Sequence, residues 1–186
     1  MSKKKKILRR VIFITIFLII WPWAFLPPYK GKVIDTDTKE PIEGAVVLVV
    51  YYNFYPSVAG NNSYLVGAKE TMTDANGEFK IPGKINLIGK AKFMPDGDIE
   101  IFKPGYGTLW HKRATAVGEN KSWPPAFKYV VYEIPKLKTM EERKTVHLRT
   151  YSEIPYEKKK NYIRLYNEER INLGYSPTKI IPKKGE

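Results

Sequence analysis

The 186-residue sequence predicts a mainly β protein: a seven-stranded antiparallel β-sandwich with a transmembrane helix before it and an α-helix after it. Three observations lead to this prediction. Between residues 30 and 134, short segments rich in β-branched and aromatic residues alternate with turn sequences. A cationic start runs directly into an apolar stretch over residues 11–26. Only residues 156–173 show a convincing amphipathic helical period.

The N-terminal segment, residues 1–28, is expected to be a basic start followed by an uncleaved signal-anchor helix. Its cationic residues are Lys3, Lys4, Lys5, Lys6, Arg9 and Arg10. Because cationic residues resist translocation, the body that follows should lie outside the cytoplasm. An extracytoplasmic chain without cysteine is typical of a bacterial envelope, so the expected location is the periplasmic side of the inner membrane. An aromatic belt at the membrane interface is expected from Trp21, Trp23 and Tyr29.

Two alternatives to the signal anchor stay open. A cleaved signal peptide has the same basic start and apolar middle, but the region after the apolar stretch is bulky and proline-rich, and only Ala24 is small. A buried core helix is the other alternative, although a charge cluster beside an uninterrupted apolar run fits an amphipathic globular helix poorly.

The net charge of +13 does not predict a nucleic-acid partner. Residues 1–10 carry six positive groups, and residues 136–186 carry 13 positive and 7 negative groups. Residues 11–135 carry 13 positive and 12 negative groups, so the central body is nearly neutral. The absence of cysteine excludes disulfides, thiolate metal sites and a cysteine nucleophile. The expected partners are the membrane and an envelope protein of unknown identity.

The body, residues 29–135, contains one dominant strand signal. Residues 45–55 are too β-branched and aromatic for a helix and too continuously apolar for a strand with one wet face, so they predict a central strand that ends at Pro56. Residues 55–64 then predict a loop. Residues 65–71 and 78–81 predict a hairpin closed by the tight turn at Asn76 and Gly77. The other predicted strands are 30–35, 91–93, 99–102 and 127–134, with an irregular loop over 107–125.

The C-terminal extension, residues 136–186, is basic and predicts two helical segments. Thr139 followed by Glu142 resembles a capping box. The longer helix, about residues 156–173, ends at Gly174 and carries a stripe of Tyr162, Tyr166 and Leu173, flanked by Ile163 and Leu165. This stripe favours packing on the sandwich. Binding to anionic lipid or to a partner stays open, although Lys159 and Glu169 interrupt the stripe.

Two sequence blocks of the body resemble the carboxypeptidase regulatory-like domain family. The first block contains Gly31, Asp35, Pro41 and Gly44; the second contains Asp74, Gly77 and Phe79; a later turn reads Pro104, Gly105, Tyr106. The resemblance covers residues 30–106 and implies a seven-stranded, transthyretin-like (prealbumin-like) sandwich in a membrane-anchored bacterial version. It implies scaffold roles for these residues and is poor evidence for function.

No catalytic, cofactor or metal site is predicted. His111 and His147 are the only histidines, and neither has a glutamate at zinc-ligand spacing. The acidic pairs near Asp35, Asp74 and Asp96 do not match the spacing of a calcium loop, so turn chemistry is the preferred interpretation.

Aromatic residues around two loops suggest an interaction surface. Tyr52, Tyr55 and Tyr64 border one loop, and Trp110 and Trp123 border the other. The sequence therefore predicts a non-enzymatic, membrane-anchored envelope protein whose sandwich is an interaction or structural module. The alternative is an accessory domain that positions an envelope hydrolase supplied by another chain.

Overall fold

The computed structural model describes residues 3–20, 25–57, 60–85, 96–109, 115–117, 127–146, 148 and 151–178. Within these residues there are three α-helices: α1 (Lys3–Ile20), α2 (Met140–Lys144) and α3 (Lys160–Asn172). The strands are β1 (Phe25–Leu26), β2 (Tyr29–Asp35), β3 (Val46–Ser57), β4 (Gly60–Met72), β5 (Glu78–Ile81), β6 (Lys84–Ile85), β7 (Asp96–Phe102), β8 (Thr115–Val117) and β9 (Tyr129–Ile134). The predicted strand at residues 91–93 lies outside the described residues.

The strands form two sheets and a small ribbon. Sheet I has the order β5-β2-β9-β8, sheet II has the order β4-β3-β7, and β1 pairs with β6. One apolar core joins the inner faces of the two sheets, with Val33 and Phe79 from sheet I and Val47 and Ile101 from sheet II. The prediction of a mainly β fold built as a two-sheet sandwich is therefore confirmed.

The sandwich is not wholly antiparallel, because β2 and β9 pair in parallel from Lys30–Tyr129 to Asp35–Ile134. A parallel pair needs a long connection, and here the rest of the body supplies it. The pairing explains Gly31, since a Cβ atom at this position would lie only 2.1 Å from the carbonyl oxygen of Val130.

Strand β3 is central, as predicted, and buried on both faces. Its neighbours are β4 on one side and β7 on the other. Every residue from Val46 to Tyr51 has a relative exposure of 0%. The second face packs in a separate apolar core against the C-terminal extension, through Tyr151, Ile154 and Tyr162. The molecule thus has three layers, and the third layer explains why β3 lacks an alternating polar pattern.

The predicted hairpin of residues 65–71 with 78–81 is wrong. Strand β4 belongs to sheet II and β5 to sheet I, so the Asn-Gly turn is an arch between the sheets. Thr73 anchors the start of this arch, because its hydroxyl accepts from the Ala45 N–H (2.8 Å) and donates to the Ile42 carbonyl (2.6 Å). Asp74 Oδ1 accepts from the N–H groups of Asn76 and Glu78 at 2.9 Å each, and the N–H of Gly77 bonds back to the Asp74 carbonyl. These bonds satisfy the turn without strand pairing.

The described residues of the predicted 55–64 loop are strands, because 55–57 belong to β3, 60–64 belong to β4, and the two segments pair. Pro56 lies within β3 and pairs with Asn61 of β4. The register shifts between Tyr51 and Tyr52, where the third strand of sheet II also ends its pairing with β3. Beyond this bulge the described residues 53–57 of β3 pair with residues 60–64 of β4, and these two paired segments are here called the arm. Likewise, the predicted irregular loop over 107–125 contains the short strand β8.

The C-terminal extension contains the predicted elements, and α3 buries part of the predicted face. The capping box at Thr139 and Glu142 is present in both directions. A short 3-10 turn, Tyr156–Lys158, precedes α3. Gly174 follows α3 with a φ of 80°. The buried side chains of α3 are Tyr162, Ile163, Leu165 and Glu169, whereas Tyr166 and Leu173 are only half-buried. The helix packs on sheet II, as its apolar stripe suggested.

The N-terminal elements correct one prediction and leave another unconfirmed. Tyr29 is 3% exposed and packs its ring 6.0 Å from that of Tyr51, so it belongs to the core and not to an aromatic belt. Trp21 and Trp23 lie outside the described residues. None of the helices in the described part of the chain combines the length and the apolar composition needed to cross a membrane.

Two glycines of the family resemblance form a matched test of backbone strain. Gly77 (φ 73°) and Gly44 (φ 69°) both adopt the left-handed region. A Cβ atom at Gly77 would lie 2.4 Å from the Val33 carbonyl oxygen, whereas a Cβ atom at Gly44 meets nothing within 4 Å. We expect Gly44→Ala to lower the free energy of unfolding by about 1 kcal/mol and Gly77→Ala to lower it clearly more, as measured by urea titration. Equal losses would contradict the close approach of the arch to β2.

Buried tyrosines are expected to make the fold sensitive to alkaline pH. Tyr51 and Tyr132 both lie in the core between the sheets, and burial raises the pKa of each phenol above its ordinary value of 10.0. Because the folded state holds these protons more tightly than the unfolded state, their stabilisation is complete below pH 10 and is lost as the pH rises above 10. In that window each pH unit lowers the free energy of unfolding by about 1.4 kcal/mol per tyrosine.

Urea titrations on either side of pH 10, with tyrosinate absorbance followed in parallel, measure this slope. Tyr132→Phe and Tyr51→Phe should each flatten it. Lys159 has a pKa lowered by burial and works in the opposite direction, since it gives up its proton more readily in the folded state. It is present in all variants, so their difference isolates the tyrosines. An unchanged slope in both phenylalanine variants would contradict the prediction.

Candidate interaction surfaces

The predicted aromatic surface is only partly within the described residues. Tyr52 is half-buried at the base of the arm, and its hydroxyl donates to Glu153 Oε1 at 3.4 Å. Tyr64 is half-buried on β4. Tyr55 lies in β3, opposite Asn62. Trp110 and Trp123 lie outside the described residues. The structure thus places Tyr55 and Tyr64 in the arm and Tyr52 directly before it on β3.

The residues of the family resemblance form the structural joint at one end of the sandwich. Asp35 is buried, and its Oδ1 accepts from the N–H groups of Asp37 (2.8 Å) and Thr38 (3.1 Å). Pro41 forms a bridge with Ile34. The Gly77 carbonyl accepts from the N–H of Val33 at 2.8 Å. These bonds are turn chemistry, as the preferred interpretation of the acidic pairs expected.

The Pro104, Gly105, Tyr106 turn binds the C-terminal extension. The N–H of Gly105 donates to Glu169 Oε2 at 3.1 Å, and the Gly105 carbonyl accepts from Leu137 at 2.9 Å. Arg143 donates to both oxygens of Glu169, from Nε at 2.8 Å and from a terminal nitrogen at 2.6 Å. The hydrogen bond raises the pKa of Arg143. One carboxylate thereby joins α2, α3 and the turn after β7.

A second polar cluster lies beneath α3. Glu100 of β7 is fully buried and accepts from the Tyr151 hydroxyl at 3.2 Å. The ammonium group of Lys159, 3% exposed, donates to the Tyr151 carbonyl. Burial lowers the pKa of Lys159. Tyr151 adopts a φ of 46° and takes part in both contacts, one through its hydroxyl and one through its carbonyl. The geometry fixes the extension on sheet II.

The N-terminus of α3 is capped from the neighbouring sheet. Glu70 of β4 accepts from the N–H groups of Asn161 (2.8 Å) and Tyr162 (3.0 Å). No side chain of the preceding residue caps the helix, so Glu70 supplies the negative charge that a helix start favours. A shallow groove of about 530 Å³ opens beside this contact. Its charged lining consists of Lys69, Glu70, Lys80, Glu157 and Lys158.

Sequence reasoning missed the most connected of these residues. In the sequence, Lys159 and Glu169 interrupt an apolar stripe, but both are buried and hydrogen-bonded. Arg143 and Thr73 gave no signal of their own. The family resemblance did single out Gly105. The available clue was Glu169, an acidic residue on an apolar helical stripe with no local partner.

Helix α1 presents the largest apolar surface of the described residues. Seven large side chains between residues 7 and 16 are 49–72% exposed: Ile7, Leu8, Val11, Ile12, Phe13, Ile14 and Ile16. Four of them are consecutive, from Val11 to Ile14, and successive helical residues point 100° apart. The helix is therefore apolar all round over this segment, which differs from an amphipathic surface helix.

The described residues hold no group of three or more His, Cys, Asp or Glu arranged to bind a metal ion. His111 and His147, the two candidate zinc ligands considered in the sequence, lie outside the described residues. Comparisons with known proteins add little. No protein-family model matches the chain, and no curated protein matches it.

Among solved structures, the chain is similar to a 9R-lipoxygenase from Cyanothece PCC8801, at 17% sequence identity and a TM-score of 0.28. The similarity covers 59% of this chain and 13% of the lipoxygenase. A likeness at that TM-score supports no conclusion about fold or activity.

Proposed function

We propose that the protein is a non-enzymatic, membrane-attached module that presents a β-sandwich to a partner protein of the bacterial envelope. The observation that carries the proposal is the exposed apolar surface of α1. Exposing this surface to water is costly, at roughly 25 cal/mol per Å², whereas a bilayer would remove the cost. The predicted anchor extended to Leu26, but Phe25 and Leu26 form β1 and Leu26 is buried in the core, so a single-pass anchor would have to end before β1.

The family assignment belongs to the same proposal. A carboxypeptidase regulatory-like domain requires a seven-stranded, transthyretin-like sandwich, and the packing of sheets I and II around one apolar core supports this assignment. The residues quoted for the resemblance also act as scaffold, because Gly31, Asp35 and Gly77 stabilise joints between strands and Phe79 lies in the core. These roles agree with a module whose function resides in its surfaces.

The arm, residues 53–57 and 60–64, is the proposed protein-binding element. It consists of the parts of β3 and β4 beyond the bulge, and it carries the predicted aromatic residues Tyr55 and Tyr64. A two-stranded arm combines backbone hydrogen-bonding edges with aromatic side chains, which suits recognition of an extended segment or a flat apolar patch on another protein.

Membrane attachment is tested with substitutions in α1. A charged residue at the centre of a membrane helix costs roughly 3 kcal/mol, so Ile14→Arg combined with Ile16→Arg should release the protein from membranes on carbonate extraction. The matched variant Ile14→Leu with Ile16→Leu should remain in the membrane pellet. Release of the unaltered protein by the same extraction would contradict the proposal.

Topology is tested by protease accessibility of a C-terminal tag in intact cells and after outer-envelope permeabilisation, with the N-terminus sequenced on the same material. Protection in intact cells, cleavage on permeabilisation and a retained lysine start are expected. Protection until the inner membrane is lysed would instead place the body in the cytoplasm.

The role of the arm is tested with a photo-crosslinking residue at Tyr64, incorporated in cells into the full chain. A discrete adduct with an envelope protein is expected. The same residue at the exposed Thr38, in the turn after β2, is the matched control and should give no such adduct. Equal adducts at both positions would contradict a specific role for the arm.

A further inference from the structure

We infer that the end of sheet I at which β2 and β9 begin contacts anionic headgroups at the membrane surface. This inference rests on the proposed membrane attachment and specifies what the body does there. The surface, here called the basic rim, consists of Lys30, Lys80, Phe127, Lys128 and Tyr129.

Strand register brings the rim together. Lys30 lies directly opposite Lys80 of β5 on one side and Tyr129 of β9 on the other. All three side chains are exposed on the outer face of sheet I. Two lysines directly opposite each other repel, which is unfavourable in a sheet. Carboxylates border the rim on two sides: Glu78 of the next row accepts from the Tyr129 hydroxyl at 3.1 Å, and Lys80 also lines the groove that contains Glu70 and Glu157.

Exposed aromatic side chains lie beside these lysines. Phe127 is 61% exposed and Tyr129 is 49% exposed, with the exposed Lys128 between them. Phe127 holds a φ of 67°, which a bulky residue rarely adopts, and its N–H donates to the Pro28 carbonyl at 3.2 Å. Aromatic rings interleaved with lysines are the side chains that membrane interfaces favour.

The short connection between α1 and the rim favours a lipid surface as the partner of the rim. Lys30 follows the last residue of α1 by ten positions, so an extended connection spans at most about 35 Å. Pro28 immediately precedes β2, and the Phe127 contact places the start of β9 beside it. If α1 is in the membrane, the rim is thus the part of sheet I tethered closest to it. Three positive charges with two exposed aromatic rings complement anionic headgroups.

The opposite end of β2 provides an internal control. Thr38 is exposed and lies beyond Asp35, which is five residues from Lys30. At about 3.3 Å per residue, this separation exceeds the Debye length of about 8 Å at physiological salt. Thr38 should therefore not sense the headgroups that the rim contacts.

The absence of cysteine allows single-site labelling of the full chain. Phe127→Cys and, separately, Thr38→Cys are labelled with an environment-sensitive fluorophore and reconstituted in phosphatidylcholine vesicles with increasing phosphatidylglycerol. Lipids spin-labelled near the headgroup should quench the label at position 127, increasingly with phosphatidylglycerol, and leave the label at 38 unquenched. Flotation of the vesicles reports independently whether the chain is attached.

Neutralising the three lysines as Lys30→Gln, Lys80→Gln and Lys128→Gln should weaken headgroup contact. Each lysine contributes about fivefold near an anionic surface, so the docking constant from the quenched fraction should fall by about 100-fold. The corresponding arginine variants keep the charge and should retain docking. Circular dichroism verifies the fold of every variant.

The outcomes separate the two proposals. A chain that floats with vesicles while position 127 stays unquenched overturns the basic rim and leaves membrane attachment standing. A chain that does not float overturns both. A label at 127 that enters an apolar environment without lipid quenching, and in proportion to protein density, means that a second copy covers the rim and overturns the lipid assignment.

Discussion

Replacing Val47 with aspartate is expected to abolish cooperative folding of the body. Val47 is fully buried in the core between the sheets, and β4 and β7 flank its strand on both sides. A carboxylate at this position would have no route to water, and an unpaired buried charge costs several kcal/mol. That cost is comparable with the total stability of a domain, about 5–15 kcal/mol. Circular dichroism and urea titration of the full chain in mild detergent should show no cooperative transition.

Two further variants isolate the cause. Val47→Thr keeps the shape of the side chain but adds a hydroxyl, and it should lower the free energy of unfolding by about 1–2 kcal/mol with the fold retained. Ser63→Asp adds the same carboxylate at an exposed site on β4 and should change stability by less than about 0.5 kcal/mol. A Val47→Asp protein with near-normal stability would contradict the central position of β3.

Elements with a strong local signal could be predicted from the sequence. The unbroken β-branched run of β3 required burial on both faces, and both faces are buried. The capping box at Thr139 and Glu142 predicted α2 because its hydrogen bonds join residues three positions apart. The predicted bounds of β5 also agree with the structure. In each case the determining interactions lie within a few residues of one another.

Pairing between distant segments could not be predicted in the same way. The turn at Asn76 and Gly77 has the residues of a hairpin, yet its strands enter different sheets. The local turn chemistry is the same in both arrangements, and the choice depends on Thr73, which anchors the arch to the Ala45 segment 28 residues away. The parallel pairing of β2 with β9 likewise joins segments about 100 residues apart, so the residue pattern within either strand does not predict it.

The candidate site shows the same division between local and distant signals. Charged residues on an apolar helical stripe predict solvent exposure unless their partners are known. The partner of Glu169 is Arg143 of α2, 26 residues earlier, and the partner of Lys159 is the backbone carbonyl of Tyr151. Neither contact follows from periodicity. The aromatic interaction surface stays a prediction, and of its residues Tyr55 and Tyr64 lie in the arm.

These contacts make the C-terminal extension part of the folded body. It covers the outer face of sheet II with an apolar core of its own, and three polar contacts fix it there: the Glu169 contact, the Glu100 contact and the Glu70 cap. The extension therefore stabilises sheet II, and its basic groups are presented by a fixed helix. A loss of its anchoring should expose the second face of β3.

Replacing Arg143 with methionine is the sharpest test of this anchoring. The variant leaves the Glu169 carboxylate, 7% exposed, with the Gly105 N–H but without its cation. Removing one partner of a buried pair costs 3–5 kcal/mol in general, and since the Arg143 side chain is 23% exposed we expect about 3 kcal/mol. Urea titration measures the loss, and limited proteolysis should show earlier cleavage within the extension.

The double variant Arg143→Met with Glu169→Met distinguishes pairing from packing. Replacing both partners with apolar side chains removes the buried charge, so the double variant should recover most of the stability lost in Arg143→Met. Exposed Lys144→Met, in the same helix, should have little effect and controls for loss of positive charge. If the double variant is as unstable as the sum of its single changes, the two side chains act independently and the Glu169 contact does not anchor the extension.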